Sequence, residues 1–457
     1  MTDDKTKIDA SPSKQLFIEM LTRDVLLIPA ILDVADNCID GARRIRPDGS
    51  FKGLWVRITI EDDLFSISDN CGGIESEVAR KYAFRFGRDA DAPMQKHSVG
   101  RFGVGLKRAI FKMGTSFSIE TIAPTSSFTM SVDVTSWAKK KEWAFEFSAL
   151  EEGQKNRIAA TGTTLRISPL HREVSASFEI PTFETELATE ITSKLQDAIR
   201  KGLSISVNQT VIHADVEKLV GDKLAPAQAK RKFTSAGNKP VAVKLLCGLG
   251  ESDDPDVAGW HIYCNGRLVL SGDKTPITGW ESEGESVSIP GFHPQFNRFR
   301  GYAYFDSDDA GLLPWNTSKT AINADSTIYQ AVRLDMIRLM RPVIDFCNQL
   351  KIEKEQTGDG KAGPLLKLLQ ASSLSAVASV ATREMFTIPK VAPLLTKTGP
   401  TLQRISYDRP IKHVEAVKKA LKARSYKEVG EETFDYFYNN EVKECVGRQS
   451  ETSLTTF

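Results

Sequence analysis

Paired cysteines are missing from this chain. Its six cysteines, Cys38, Cys71, Cys247, Cys264, Cys347 and Cys445, form no CxxC pair, and its six histidines, spread from His97 to His413, do not cluster. A zinc knuckle, a dithiol redox motif and a disulfide-stapled scaffold are thereby excluded, and a reducing compartment is the simpler expectation. No run approaches the roughly 20 apolar residues that span a bilayer. The N-terminal MTDDKTKIDASPSK has no apolar signal core, so the expected location is cytoplasmic, with no membrane partner. Nor does one charge dominate: 60 Lys and Arg against 59 Asp and Glu leave +1 at pH 7, which implies no chain-wide field for gathering polyanions. There is no internal repeat and no GxxxxGK[ST] spacing of a P-loop.

What is present is ordinary globular composition over 457 residues, a length that suggests about three domains. Ser11 and Pro12 open a helix expected over 11–22. A second begins near Pro29, where Ile31, Leu32, Val34, Ala35, Cys38, Ile39 and Ala42 recur at helical spacing until Pro47 and Gly49 stop it. Leu54–Ile60 and Leu64–Ser68 read as a hairpin. Further strands are expected at Ser116–Ile122, Phe128–Val134, Trp143–Phe147 and Thr163–Ile167 from their β-branched and aromatic alternation. Beyond them, Thr185–Lys201 reads as helix, Leu203–Val207 and Val241–Cys247 as strands, and His261–Leu270 as a hairpin turning at Asn265-Gly266. A long helix closes this block over 326–350, and KIEKEQTGDGKAG (351–363) reads as a linker. The expected class is α+β, divided into a first domain over 1–172, a second over 173–350, the linker, and a helical C-terminal region over 364–457.

Three clusters carry chemistry. Asp33, Asn37 and Asp40 lie four and three residues apart, hence on one face of an otherwise apolar helix, where oxygens can meet a divalent cation and orient a water; a solvated amphipathic face has the same spacing. Asp69-Asn70-Cys71-Gly72-Gly73-Ile74 ends a strand in an acid and a close-approach turn, suited to an exocyclic amine or simply to a hairpin. Gly100-Arg101-Phe102-Gly103-Val104-Gly105-Leu106-Lys107 is a glycine-rich loop opening a helix, which presents backbone N–H groups to a phosphate or serves as a plain hinge.

In this order the three clusters, with Gly162-Thr163-Thr164 after them, resemble the GHKL ATPase superfamily of gyrase B subunits, histidine kinases, MutL, the large heat-shock chaperones and the microrchidia ATPases. The resemblance is firm over residues 15–170 and looser to 345. It implies a Bergerat-type α/β sandwich followed by a transducer-like α+β domain, with ATP and Mg2+ as cofactors. Asn37 would be the metal ligand, Asp69 would bind the adenine amine beside Thr163, and Gly73 and Ile74 would let the purine approach. Gly100, Gly103, Val104, Gly105, Leu106 and Lys107 would hold the phosphates, Asp40 would support from behind, and residues 75–99 would form the lid. Asp33 stands where the family places its glutamate base, one methylene shorter, so slow hydrolysis is expected. Cys71 replaces a family glycine, with Gly72 able to supply the permissive residue.

Lys319, in LPWNTSKT after a strand-like Gly301–Phe305, is the candidate sensor of the terminal phosphate, with Lys274 as its rival. Only 32 residues precede Asp33 and none is histidine, so a phosphoacceptor-histidine kinase is not expected; the layout resembles the chaperone, MutL and microrchidia branch. That branch implies an ATP-driven homodimeric clamp acting on nucleic acid or protein. The alternative is an ATP-gated switch with negligible hydrolysis, and the resemblance also brings a bacterial defence setting into view. Arg409, Lys412, Lys418, Lys419, Lys422, Arg424 and Lys427 against Glu415 make 409–427 a candidate nucleic-acid contact, or a solvated helical hairpin.

Overall fold

A computed structural model describes residues 13–23, 25–86, 98–99, 105–234, 239–282, 288–357, 362–391 and 405–442. The chain divides into two units, Met1–Leu394 and Leu395–Phe457.

The larger unit starts with α1 (Lys14–Arg23) and α2 (Leu27–Ile45), which carries Pro29 in its first turn. The hairpin β1 (Trp55–Glu61) and β2 (Leu64–Asp69) follows, paired in register from Val56 opposite Asp69 to Glu61 opposite Leu64. Next come the single turn α3 (Ser76–Val78), α4 (Gly105–Met113), β3 (Ser116–Ile122), β4 (Ser126–Asp133), α5 (Val134–Lys139), β5 (Ala149–Glu152) and β6 (Gly162–Ile167). Helices α6 (Arg172–Phe178), α7 (Phe183–Lys194) and α8 (Gln196–Arg200) lead to the hairpin β7 (Ser204–Val207) and β8 (Thr210–Ile212).

These eight strands form one sheet in the order β5-β4-β3-β6-β2-β1-β7-β8. Its alternating residues decide the layering. Val56, Ile58, Phe65, Ile67, Phe117, Ile119, Leu165 and Ile167 are buried and share one core with Ile31, Val34, Ala35 and Cys38 of α2 and Ala109 and Ile110 of α4. Their neighbours Arg57, Ser66, Ser118, Glu120 and Arg166 are polar and partly or fully exposed on the other face. Helices therefore cover a single face of the sheet.

The boundary expected at residue 172 is too early. Strand β7 adds in parallel to β1, and Val174, Leu187, Ile191, Leu195, Ile205 and Val207 belong to the same core, so the first domain continues to Ile212. The strand expected at Trp143–Phe147 does not form. Trp143 and Phe145 instead pack their rings against Phe86 and Trp137: the alternation recorded an aromatic cluster, not a ladder.

The second domain holds β9 (Lys218–Val220), β10 (Ala227–Thr234), β11 (Pro240–Leu249), β12 (Gly259–Cys264), β13 (Arg267–Asp273) and β14 (Phe299–Ser307), with a five-stranded sheet ordered β10-β11-β14-β12-β13. The turn between β12 and β13 uses Asn265 (φ 46°) and Gly266 (φ 75°), the left-handed pair that a tight hairpin needs. Helix α9 (Thr327–Thr357) buries Val332, Met336, Leu339, Met340, Val343 and Phe346 in this domain's core. It runs through the first seven residues of the expected linker. Nor are residues 364–391 part of a separate helical region. Leu365 and Leu369 of α10 (Pro364–Ala371) join the second core, the Glu353 carboxylate accepts the Leu365 and Leu366 N–H groups, and β15 (Leu374–Ala376) pairs with β9.

The smaller unit is described by α11 (Ile411–Leu421) and α12 (Tyr426–Phe437), the latter capped by Ser425, whose hydroxyl accepts the Glu428 N–H.

Candidate nucleotide site

A cavity of about 80 Å³ opens between α2 and the sheet, lined by Asn37, Asp69, Gly73, Ile74, Leu106 and Thr163 together with apolar Val34, Ile67, Ile119 and Leu165. Six residues singled out from sequence thus meet on one cavity. Asp69, at the end of β2, is mostly buried. Its Oδ1 accepts the Cys71 N–H at 2.7 Å, yet burial still raises the carboxyl above its usual range. Gly72 (φ 98°) and Gly73 (φ 63°) both take left-handed backbone, and Cys71 does not, so the glycine lost at Cys71 is replaced by its neighbour. A Cβ on Gly73 would sit 2.1 Å from the Ile122 carbonyl oxygen, and one on Gly162 would sit 2.0 Å from that of Asp69. Both glycines are set by close backbone approach.

Thr121 was not visible as a site residue in the sequence. Its hydroxyl accepts the Ile74 N–H at 2.8 Å and lies 3.1 Å from the Thr163 hydroxyl, which ties the glycine turn to the β6 threonine. Arg44 and Cys38 also line the cavity, and the Arg44 guanidinium donates to the Gly73 carbonyl.

The Asn37 amide donates from Nδ2 to the Asp33 carbonyl at 3.0 Å, which leaves its Oδ1 for a cation. Among the described residues no cluster of three His, Cys, Asp or Glu could hold a metal by itself. The donor set fits a hard cation whose remaining ligands are water and phosphate.

Asp40 stands apart from the cavity. It accepts the Val99 N–H at 2.9 and 3.1 Å and pairs with Arg43 at 3.2 Å. It thereby fixes the chain just before the second glycine cluster. The lid expected over 75–99 is described only at its ends. Glu75 accepts from Thr125 and Ser126 at the β3–β4 turn, and the Ser98 carbonyl accepts the Asn265 amide of the second domain. Gly100, Gly103 and Val104 lie outside the described residues. Gly105 faces Asp33, with a Cβ placed 3.4 Å from the carboxylate.

Lys107 is a correction. Its ammonium is buried and donates to the Ala83 carbonyl at 3.0 Å, not into the cavity, and burial lowers its pKa to about 8. Its neighbour Arg108 lies instead against Asp33, with its guanidinium bonded to the carboxylate.

The second domain reaches α2 beside the cavity. Lys319, in left-handed backbone at φ 56°, is 8% exposed and donates to Asp33 Oδ1 at 3.1 Å and to Asp36 Oδ2 at 2.7 Å. Arg267, at the β12–β13 turn, brings its Nη1 to 3.8 Å from Asp36 Oδ1. Lys274, the rival, lies over the Phe292 ring. Burial alone would raise the Asp33 carboxyl, but Lys319 and Arg108 hold it below its usual range; burial would lower Lys319, but Asp36 and Asp33 hold it up. Three cations therefore face two carboxylates. Among the described residues, Arg108 Nε, Arg267 Nε and Nη1, and Asp36 Oδ1 have no hydrogen-bond partner. The cluster thus holds one more cation than carboxylate, with three orphaned donor atoms beside one orphaned acceptor, a balance that an additional anion would improve. Sequence reasoning passed over Asp36, Arg108 and Arg267. Asp36 alone carried a local signal, one turn from Asp33 on the same helix.

A two-layer sheet with helices on one face, an acid-and-glycine turn beneath a helix bearing Asp33 and Asn37, and a GT strand at the cavity floor define an ATP-binding domain of the GHKL ATPase class. Residues 26–163 match the family of Histidine kinase-, DNA gyrase B-, and HSP90-like ATPases. No curated protein matches the chain. Among the described residues no helix is long and apolar enough to cross a membrane.

Proposed function

We propose that this chain is a magnesium-dependent ATPase in which the second domain reads the terminal phosphate of ATP. The observation carrying the proposal is the buried contact of Lys319 with Asp33 and Asp36, because it places a second-domain cation against the candidate base. Adenine would enter the cavity with its amino group on the Asp69 carboxylate and its face on Ile74. The Asn37 carbonyl oxygen would hold Mg2+, which when bound offsets charge on the phosphate oxygens. Lys319, Arg108 and Arg267 would face the γ-phosphate. As phosphate oxygens take over Lys319, Asp33 is released to orient a water and accept its proton, and ATP plus water gives ADP and phosphate.

ADP offers nothing to the three cations, so the domain arrangement they favour depends on ATP. The proposal extends to ATP-driven self-association of the first domain, the clamp-like behaviour expected from the family resemblance. A second reading, an ATP-gated switch with negligible turnover, is favoured by one feature: both Asp33 oxygens are engaged by cations, on a carboxylate one methylene shorter than the family's glutamate.

Phosphate release by the wild type and by Asp33→Asn, with sedimentation in ATP analogue and in ADP, tests both readings. Turnover lost in Asp33→Asn with ATP binding retained supports the ATPase. A wild type that binds ATP, associates and never releases phosphate supports the switch. Absence of ATP binding sinks both.

A further inference from the structure

Helix α2 presents two polar strips side by side. Val34, Asn37, Cys38, Gly41 and Arg44 line the cavity. Asp36, Asp40 and Arg43 are four and three residues apart, hence on an adjoining strip, and the second domain lies along it. At one end Lys319 and Arg267 reach Asp36. At the other the Arg43 guanidinium donates to the Asn265 carbonyl at 2.6 Å. The Asn265 amide in turn donates to the Ser307 carbonyl at 3.0 Å, and its Oδ1 accepts the Ser307 N–H at 2.9 Å. The hairpin tip thus holds the end of β14, from which the chain runs on to Lys319.

Asp33 and Asp36 differ within this arrangement. Asp33 has Arg108 from its own domain as well as Lys319. Asp36 is 1% exposed, and among the described residues both charged partners of its side chain come from the second domain. Its bond to Lys319 is the shorter of that lysine's two, 2.7 against 3.1 Å. A buried carboxylate with no cation from its own domain is costly unless the second domain is docked. Two docked cations without that carboxylate would repel each other.

We infer that Asp36 is a positioning residue: it holds Lys319 and Arg267 on α2 while phosphate replaces Asp33 at Lys319, so preference for ATP over ADP depends on a carboxylate that touches neither nucleotide. The inference rests on Lys319 as reader of the terminal phosphate. Charge alone gives the opposite effect, since removing a negative group beside a phosphate strengthens anion binding. The sign of the change therefore tells positioning from charge.

The test is calorimetry of the full-length protein with a non-hydrolysable ATP analogue and with ADP, on the wild type, Asp36→Asn, Lys319→Met and the double variant. In Asp36→Asn the ratio of analogue to ADP affinity is expected to fall about tenfold or more, the scale of one charge-assisted bond, with ADP affinity unchanged. The double variant is expected to fall no further than Lys319→Met. Without nucleotide, amide exchange across residues 315–322 is expected to be faster in Asp36→Asn than in the wild type. If Lys319→Met lowers the ratio while Asp36→Asn leaves it unchanged or raises it, the inference alone is overturned. Unchanged exchange overturns it too, as does a loss of ADP affinity, which would make Asp36 part of the general integrity of α2. A Lys319→Met that keeps the wild-type ratio removes the phosphate reader itself, and the inference falls with it.

Discussion

Replacing Lys319 by methionine separates the ammonium from everything else about this position. Methionine has a similar length, and it inherits the left-handed backbone at φ 56° with the same strain, so that cost cancels in the comparison. In the nucleotide-free protein the substitution removes two charge-assisted hydrogen bonds, at 3.1 and 2.7 Å. Stranding a buried charge typically costs about 3–5 kcal/mol. Here the loss is smaller, because Arg108 still faces Asp33 and Arg267 still faces Asp36, which leaves two cations with two carboxylates. The expected destabilisation is about 2 kcal/mol, or roughly 4–8 °C in a thermal melt at roughly 2–4 °C per kcal/mol. Nucleotide reads out differently. Losing one charge-assisted bond to the γ-phosphate costs about 1.5–3 kcal/mol, so the ATP-to-ADP affinity ratio should fall roughly 10- to 150-fold by calorimetry, with ADP affinity unchanged. A variant that retains the wild-type ratio refutes the role of Lys319 as the terminal-phosphate reader, whatever its stability.

Asp69→Asn presents donors where the adenine amine needs an acceptor, and calorimetry should find ATP binding abolished; unchanged affinity removes Asp69 from the adenine site. Gly73→Ala places a Cβ 2.1 Å from the Ile122 carbonyl oxygen at φ 63°, so nucleotide affinity should fall at least about tenfold and the melting temperature should drop, since left-handed backbone alone costs roughly 1–2 kcal/mol. Lys107 titrates near pH 8 in the folded protein and at 10.5 when unfolded. The unfolded state therefore binds more protons between those values, and the penalty is fully present below pH 8 and relieved as pH rises to 10.5. Lys107→Met should abolish this contribution to the rise in stability, measured as denaturant midpoints at pH 7 and pH 10.

Local signals were legible and distant ones were not. The stripe from Ile31 to Ala42 marked α2 and Asn265-Gly266 marked its hairpin, because in both cases the structure follows from residues within one turn. The cavity was legible for a related reason: Asn37, Asp69, Gly73 and Thr163 each carry their requirement in their own segment. The charge cluster was not. Nothing near Arg267 in sequence indicates Asp36, and Arg108 stands next to the lysine that the glycine loop made the obvious phosphate ligand. The domain boundary failed for a topological reason, since a strand that returns to pair in parallel with β1 leaves no local mark. The linker was misjudged because polarity and a glycine say nothing about whether a preceding helix has already stopped.

The contact between Lys319 and Asp33 spans 286 positions. At about 5–20 residues per second of synthesis, roughly 15–60 s pass between the appearance of the acid and that of its partner. During that interval the nascent chain gains Arg108, which pairs Asp33, and then Ile119 of β3 and Thr163 and Leu165 of β6, which with α2 and the glycine turn line the cavity. Asp36 has neither of its cations. On the proposed function the growing polypeptide would recognise a nucleotide before it could tell how many phosphates that nucleotide carries, and discrimination between fuel and product would arrive only with the second-domain loop that follows β14.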